Sequence, residues 1–280
     1  MPRGTRRAVV ALLAAGAVLL GAVGLGTEPP PERPTVSFLD VGQGDATLIQ
    51  APDGSAALFD GGPPEGGVLR RLRRAGVRRL SLVVATHSSR DHHGGLAGVL
   101  SALPVDLFLD GGDGSEDPAF RALKRTVARR GVRSVPARAG LALQAGSIAI
   151  RVLSPPPRPP GPAPEDPNPR AVVAIVDVGG MRVFLSADAE SEALLPLSLP
   201  AVDAMKVPHH GSSDPGLPEL LKRLRPRVAS IPVGQNTYGH PTPSTLRALR
   251  AAGVASYRND RDGTVRLSIE DRRLSASPER

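Results

Sequence analysis

The sequence predicts an α/β chain of the α+β kind, with two mixed β-sheets packed face to face and helices on the outer faces. Three observations predict it. Short apolar runs open the chain as hairpins, apolar runs then alternate with helix-like segments, and the series begins again after a proline-rich stretch. The first strands are VSFLDV (36–41), ATLIQ (46–50) and AALFD (56–60), the last two parted by the turn residues APDGS. Residues 66–75 read as a helix, LSLVVA (80–85) as a buried strand, 95–102 as a helix, VDLFL (105–109) as a strand and 117–130 as a helix. SIAIRVL (147–153) is the next strand, and SPPPRPPGPAPEDPNP (154–169) can only be a loop. AVVAIVDVGGMRVFLSA (171–187) is a hairpin turning at Gly179 and Gly180. VDAMKV (202–207), RVASIPV (227–233) and TVRLSIE (264–270) complete the strands, with helices near 217–224 and 243–252 between them. A doubly wound parallel sheet is disfavoured by the early hairpins and by the lack of a glycine-rich phosphate loop after the first strand.

Composition narrows the chemistry. With 40% hydrophobic but only 2% aromatic residues, the core must be built from Val, Leu and Ala. No cysteine is present, so a transition metal would have to be held by histidine and carboxylate. The formal charge of +8, carried mostly by arginine, suits phosphate-bearing partners, although an arginine-rich proteome yields the same balance. MPRGTRR precedes nineteen uncharged residues, AVVALLAAGAVLLGAVGLG, about enough to cross a bilayer's hydrocarbon core. The flanking arginines predict a single-pass N-terminal hydrophobic helix with the remainder extracytoplasmic. A cleaved signal peptide, giving a secreted domain, is the rival, but no clear A-x-A site follows. The expected organisation is therefore an anchor or signal over 1–27, a stiff proline-rich spacer over 28–35, one domain over 36–271 and a tail over 272–280.

All six histidines fall in three short stretches, each after an apolar run: His87, His92 and His93; His209 and His210; and His240. Loops at strand ends are where a rigid scaffold holds functional side chains. In THSSRDHHGG, His87, Asp91 and His92 can converge if the loop curls over the sheet edge, and imidazole with carboxylate suits zinc or manganese. The alternative is that Asp91 merely caps the next helix. In FLSADAESEAL, Asp188 follows a buried strand and needs a cation or donors, which two metals sharing its two oxygens would supply. Here the alternative is an N-cap of a helix over 189–195. In KVPHHGSS, adjacent residues diverge, so one of His209 and His210 is expected at the metal and its neighbour at the substrate or behind the ligands. In GQNTYGHP, Tyr238 and His240 could border the same cleft, unless His240 only stacks beside Pro241.

These segments resemble the metallo-β-lactamase superfamily, and within it the ComEC-type competence proteins. FLDVGQGDATLIQ, LFDGG, THSSRDHHGGL, VGGMRVFLSADAE, KVPHHGSS and IPVGQNTYGHP occur in the family's order, from residue 36 to about 245. The resemblance implies an αββα sandwich with a metal centre at one sheet edge. It also implies hydrolysis, plausibly of phosphodiesters, with DNA at the cell surface as the substrate in ComEC-type proteins. Carried over position by position, His87, Asp91 and His92 match the metal loop. Asp188 matches the aspartate shared by two metals, and His209–His210 matches the later histidine motif. Asp60 matches an aspartate that orients the loop, and Asp40, Gln43 and Asp45 belong to the signature hairpin beside the site, with His93 next to the ligands. Two departures stand out. Ser89 occupies the third position of the family's HxHxDH or HxDxDH loop, and Asn168 stands where the broad superfamily, though commonly not the ComEC-type proteins, has another histidine. The implied centre is asymmetric: one firm divalent metal, Zn2+ or Mn2+, and a second that is weak or absent.

The expected function is a metal-dependent phosphodiesterase acting on DNA outside the cytoplasmic membrane. Asp91 would hold the attacking water, and Lys206, Tyr238 or His240 would stabilise charge on a phosphoryl oxygen. Lys206 could equally be a solvated strand residue. One alternative substrate is a small or envelope phosphodiester. A second alternative is a catalytically weakened DNA-binding accessory of an uptake system. One anchor cannot form a channel, so a role in DNA uptake would call for a separate channel protein as partner.

Overall fold

The computed structural model describes residues 29–271 and 273–280. The expected N-terminal hydrophobic helix lies outside the described residues, and among those described no helix is long and apolar enough to cross a membrane. Among the described residues, fifteen strands form two mixed sheets. The first sheet contains β1 (Thr35–Phe38), β2 (Thr47–Gln50), β3 (Ala56–Phe59), β4 (Leu82–Ala85), β5 (Leu107–Asp110) and β6 (Arg133–Pro136), together with β14 (Val265–Glu270) and β15 (Arg273–Pro278). Their order across the sheet is β15-β14-β1-β2-β3-β4-β5-β6. The second contains β7 (Ala142–Ala145), β8 (Ile148–Ser154), β9 (Val173–Val178), β10 (Met181–Leu185), β11 (Ala204–Lys206), β12 (Val228–Ile231) and β13 (Ala255–Arg258), ordered β13-β12-β11-β10-β9-β8-β7.

The layers follow from side-chain alternation. Along β4, Leu82 and Val84 enter the core between the sheets, whereas Val83 and Ala85 pack outward under helices. This is why its sequence is a continuous apolar run rather than an alternating one. The inter-sheet core joins Phe38, Ile49 and Leu267 to Ile150, Val176 and Val183. On the outer face of the first sheet lie α1 (Val68–Arg74), α3 (Leu96–Ala102) and α4 (Pro118–Arg129), burying Leu72, Leu100 and Leu123 against Leu48, Leu58 and Phe108. Helix α4 begins as its sequence dictates: the Asp117 carboxylate accepts from the amides of Ala119 and Phe120, and proline occupies the first turn. Outside the second sheet, α6 (Leu217–Leu224) and α7 (Pro243–Ala251) bury Leu220, Leu224 and Leu249 against Phe184 and Met205. The result is an αββα sandwich.

The C-terminal residues depart from expectation. Instead of a tail, residues 273–278 form β15, paired antiparallel along β14 from Val265↔Pro278 to Glu270↔Arg273. Within each sheet a parallel set, β3-β4-β5 and β10-β11-β12, sends its carboxyl ends toward one edge. Asp60 follows β3, His87 follows β4, Asp188 follows β10, and Lys206 ends β11 just before the histidine pair.

Candidate metal centre

Close backbone packing builds the centre first. The loop after β1 lies against α2 (Arg90–His93), a single turn that carries Asp91 and His92. The Asp45 amide donates to the Asp91 carbonyl at 3.1 Å, and the Gly61 amide to the His92 carbonyl at 2.7 Å. Only glycine fits at position 44: φ is +140°, and a Cβ there would lie 2.2 Å from the Asp91 carbonyl oxygen. Strain is concentrated at the same place. Among the described residues, six non-glycine positions have positive φ, and four of them are Asp60, Ala187, His209 and His210. Each such position costs about 1–3 kcal/mol and persists where the surroundings over-determine it, as at functional sites.

The side chains then converge. His92 directs Nδ1 at Asp60 Oδ2 (2.8 Å), and Asp60 is itself held by the Thr86 amide (2.8 Å) and hydroxyl (2.7 Å). His210 directs Nδ1 at the Pro232 carbonyl (2.7 Å). With both Nδ1 atoms so engaged, each ring presents its Nε2 lone pair to the interior. His92 Nε2 lies 3.1 Å from Asp188 Oδ2, while His210 Nε2 lies 3.4 Å from the same oxygen and 3.3 Å from Asp91 Oδ2. Buried Nε2 atoms of His87, His92 and His210 have no hydrogen-bond partner. Buried polar atoms are almost always paired, so the orphaned nitrogens of His92 and His210, both facing Asp188 Oδ2, fit a divalent cation.

Asp45, His92, Asp188 and His210 bring ligand atoms within 4.8 Å of one another. Asp45, however, faces the other side of the rings. Its Oδ1 lies 3.3 Å from His210 Nδ1, and its Oδ2 lies 2.7 Å from the Lys206 ammonium. Asp91, His92, Asp188 and His210 are therefore the set that surrounds the orphaned lone pairs.

Electrostatics agree with this division. Burial pushes the His87 imidazole down to about 3, helped by His92, so it stays neutral with its lone pair available. Burial would also depress His92, but Asp188, Asp45 and Asp60 outweigh it and hold that ring well above its usual range. His210 is raised in the same way by Asp188, Asp45 and Asp91. Burial would raise Asp188, yet His210, His92 and Lys206 keep it well below the usual carboxylate range. The carboxylates thus favour positive charge in this pocket, which a bound cation or protons on the rings can supply.

Comparison with known proteins agrees with the fold. The sequence model of the metallo-beta-lactamase superfamily matches residues 39–234. The chain belongs to the metallo-β-lactamase superfamily. It is 26% identical over 261 residues to ComE operon protein 3 of Bacillus subtilis (strain 168), covering 85% of this chain and 33% of that protein. It is 27% identical over 263 residues to Competence protein ComA of Neisseria gonorrhoeae, covering 90% of this chain and 35% of that protein. The chain thus spans about a third of the length of these relatives. Among solved structures, the metallo-beta-lactamase fold protein YhfI from Bacillus subtilis superposes with a TM-score of 0.58 at 12% identity, over 83% of this chain and 99% of that one.

Several residues of the expected superfamily site are placed otherwise than their motifs suggested. Lys206 does not reach the cleft. It is 2% exposed, and its ammonium is held by Asp45 Oδ2 (2.7 Å), Asp188 Oδ1 (3.1 Å) and the Ala187 carbonyl, leaving no donor for a phosphoryl oxygen. Asp188 accordingly does not offer one oxygen to each of two metals, because Lys206 holds Oδ1 and only Oδ2 faces the histidines. Asp40 turns away to the other end of the chain, pairing with Arg280 (2.5 Å) and Arg71 (3.7 Å). Gln43 accepts from the Gly234 amide at 3.2 Å and so ties the signature loop to the loop after β12. His93 packs edge-on against Phe120, with Nε2 3.6 Å from Asp117, outside the cluster.

The histidine pair divides as adjacent residues must. His210 is buried at Asp188, while the partly exposed His209 directs Nδ1 at Glu190 (3.0 Å) and keeps Nε2 3.8 Å from Asp188. His240 stands beside His209, with ring centroids 5.7 Å apart, and Tyr238 stands beside His240. Thr86 and Glu190 were not singled out in the sequence, although Thr86 directly precedes His87 and Glu190 lies two residues after Asp188.

Ser89 sits at the N-cap of α2 without capping it, and Asn168 opens a 3-10 turn with its amide bonded to Asp166. Ser89 and Asn168, where the resemblance implies stronger ligands for a second metal, thus offer only a neutral hydroxyl and a carboxamide. Ser89→Asp is expected to raise the metal content of the purified full chain from about one per chain toward two, as measured by plasma mass spectrometry after supply of zinc or manganese. An unchanged ratio would show that Ser89 is not what limits the second position.

Proposed function

We propose that this chain is a divalent-metal-dependent phosphodiesterase that cleaves DNA on the outer side of the cytoplasmic membrane, held there by its N-terminal segment. The observation that carries the reading is the convergence of His92 Nε2, His210 Nε2, Asp188 Oδ2 and Asp91 Oδ2 on one buried point, with the histidine lone pairs unpaired. The names of the relatives, which include a competence protein, and the formal charge of +8 support DNA as substrate.

Those four residues would hold the metal, and a set of imidazoles and carboxylates suits Zn2+ or Mn2+. A cation held there would supply Lewis-acid polarisation of a phosphoryl oxygen and a lowered pKa for water. The rest of the work belongs to the chain. Asp60 and the Pro232 carbonyl fix the tautomer and tilt of His92 and His210. Lys206 pins Asp188 from behind, so that its free oxygen cannot rotate away. The Asp91 carboxylate, with a third of its side chain exposed, lies at the mouth, where it can accept a hydrogen bond from the attacking water. His209, oriented by Glu190 and with Nε2 3.8 Å from Asp188, and the half-buried His240 beside it would meet the phosphate.

The test is turnover. The purified full chain, supplied with Mn2+ or Zn2+, is expected to cleave labelled oligonucleotides, to lose activity to a chelator and to regain it when metal is restored. Bis(4-nitrophenyl) phosphate, assayed in parallel, separates general phosphodiester hydrolysis from action on DNA. No cleavage of any phosphodiester with either metal would overturn the assignment.

A further inference from the structure

Aromatic side chains are scarce in this protein, with five Phe, two Tyr and no Trp. Where they sit is therefore informative. Phe38, Phe59, Phe108, Phe120 and Phe184 are all buried, and Tyr257 packs against the core between the sheets. Tyr238 is the exception: at 72% exposure it is the one large hydrophobic side chain turned to solvent among the described residues. Single exposed hydrophobics are ordinary on protein surfaces, so exposure alone means little. Two further observations give it meaning.

The first is that the loop holding Tyr238 is locked. The Asn236 side chain accepts from the amides of Tyr238 and His240, both at 3.1 Å, and donates to the carbonyls of Gly234 and His240, both at 2.9 Å. Gln43 and the Gly211 carbonyl tie the two ends of the loop to the site, through the amides of Gly234 (3.2 Å) and Thr242 (2.8 Å). The second is a row of rings leading to the centre. Tyr238 lies 5.7 Å from His240 at a shallow 32°, His240 lies 5.7 Å from His209, and His209 Nε2 lies 3.8 Å from Asp188. The tyrosine ring lies tilted beside His240, and most of the residue is open to solvent.

We infer that Tyr238 is a stacking platform for an unpaired nucleobase next to the phosphate held at the centre. This rests on the phosphodiesterase reading for the position of that phosphate. A protein partner is a poor fit, because interface cores need contiguous apolar surface and this ring stands without another large hydrophobic exposed beside it. A base needs only one flat face, and every base has one. A paired base inside a duplex has its faces covered, so the ring selects single strands, frayed ends or splayed-out bases.

The experiment compares the full-length wild type with Tyr238→Ala and Tyr238→Phe. Fluorescence anisotropy measures binding of a short labelled single-stranded oligonucleotide and of an abasic strand with the same backbone, without added metal. Tyr238→Ala is expected to weaken binding of the base-bearing strand by roughly 5- to 150-fold and to leave the abasic strand unchanged. Tyr238→Phe keeps the ring and should bind like wild type. Intrinsic tyrosine emission, free of tryptophan, should fall when the base-bearing strand binds the wild type. Equal losses for both strands, a Phe variant as weak as the Ala variant, or wild-type binding that ignores the bases would each overturn the inference. Base-dependent binding through Tyr238 with no cleavage under any metal would sink the hydrolytic reading alone. Cleavage that is indifferent to Tyr238 and to the bases would sink the stacking alone.

Discussion

Replacing Asp188 with alanine is expected to leave a folded chain that retains no metal and has no measurable hydrolysis. Asp188 Oδ2 is the oxygen on which His92 and His210 both converge, so its removal takes the shared anion from between two imidazoles. Loss of a partner behind a metal ligand typically costs 10–100-fold in affinity, and loss of a ligand at the heart of the set should cost more than about 100-fold. Activity falls with it. A bound cation supplies several kcal/mol of transition-state stabilisation, and at 1.36 kcal/mol per decade this corresponds to roughly a thousand-fold loss or more. The fold should survive, because Lys206 keeps Asp45 at 2.7 Å and His92 keeps Asp60 at 2.8 Å. Metal content after gel filtration, cleavage of an oligonucleotide and circular dichroism make the three readings. A variant that stays folded and still carries one metal would show that Asp45, not Asp188, closes the coordination sphere.

The parts of this molecule that were legible in the sequence are those whose signal is local. Strands such as β3 and β4 stand out because both faces are buried and the chain must be apolar throughout. The four strands that left no clear trace, β6, β7, β13 and β15, are the four sheet edges. An edge strand is half solvated and carries polar or charged residues, as in RSVP, ALQA, ASYR and RLSASP, so neither an apolar run nor a clean alternation marks it. Its pairing is dictated by the neighbour it completes.

The site divides in the same way. Histidines grouped after apolar runs announce a centre, because strand ends are where a sheet can aim side chains at one point. Which member of the pair at 209 and 210 turns inward depends on two left-handed backbone positions, and nothing in the residue types reveals those. Lys206 was harder still. A lysine following AM at the end of a short strand looks like a solvated group, and only the arrival of Asp45 from the first sheet and Asp188 from the second shows that it is a buried counter-charge.

That buried lysine carries the second large effect. Lys206→Met preserves most of the side-chain volume and removes the charge. It leaves Asp45 and Asp188, 5% and 4% exposed, without the ammonium that lies 2.7 Å from one and 3.1 Å from the other. Removing one partner from a buried ion pair costs about 3–5 kcal/mol, because the remaining charge is stranded out of water. Here two carboxylates lose the ammonium at once, so the upper part of that range is expected, out of the roughly 5–15 kcal/mol that holds a typical domain folded. At about 2–4 °C per kcal/mol for a domain of this size, the metal-free variant should melt at least about 10 °C below wild type. A cation bound at Asp188 restores part of the missing charge, so added metal should raise the melting temperature of the variant by more than it raises that of the wild type. The two shifts together separate this role from packing. A mere volume defect would lower stability by the same amount with and without metal, and a melting temperature within 2–3 °C of wild type would show that the carboxylates find their counter-charge elsewhere.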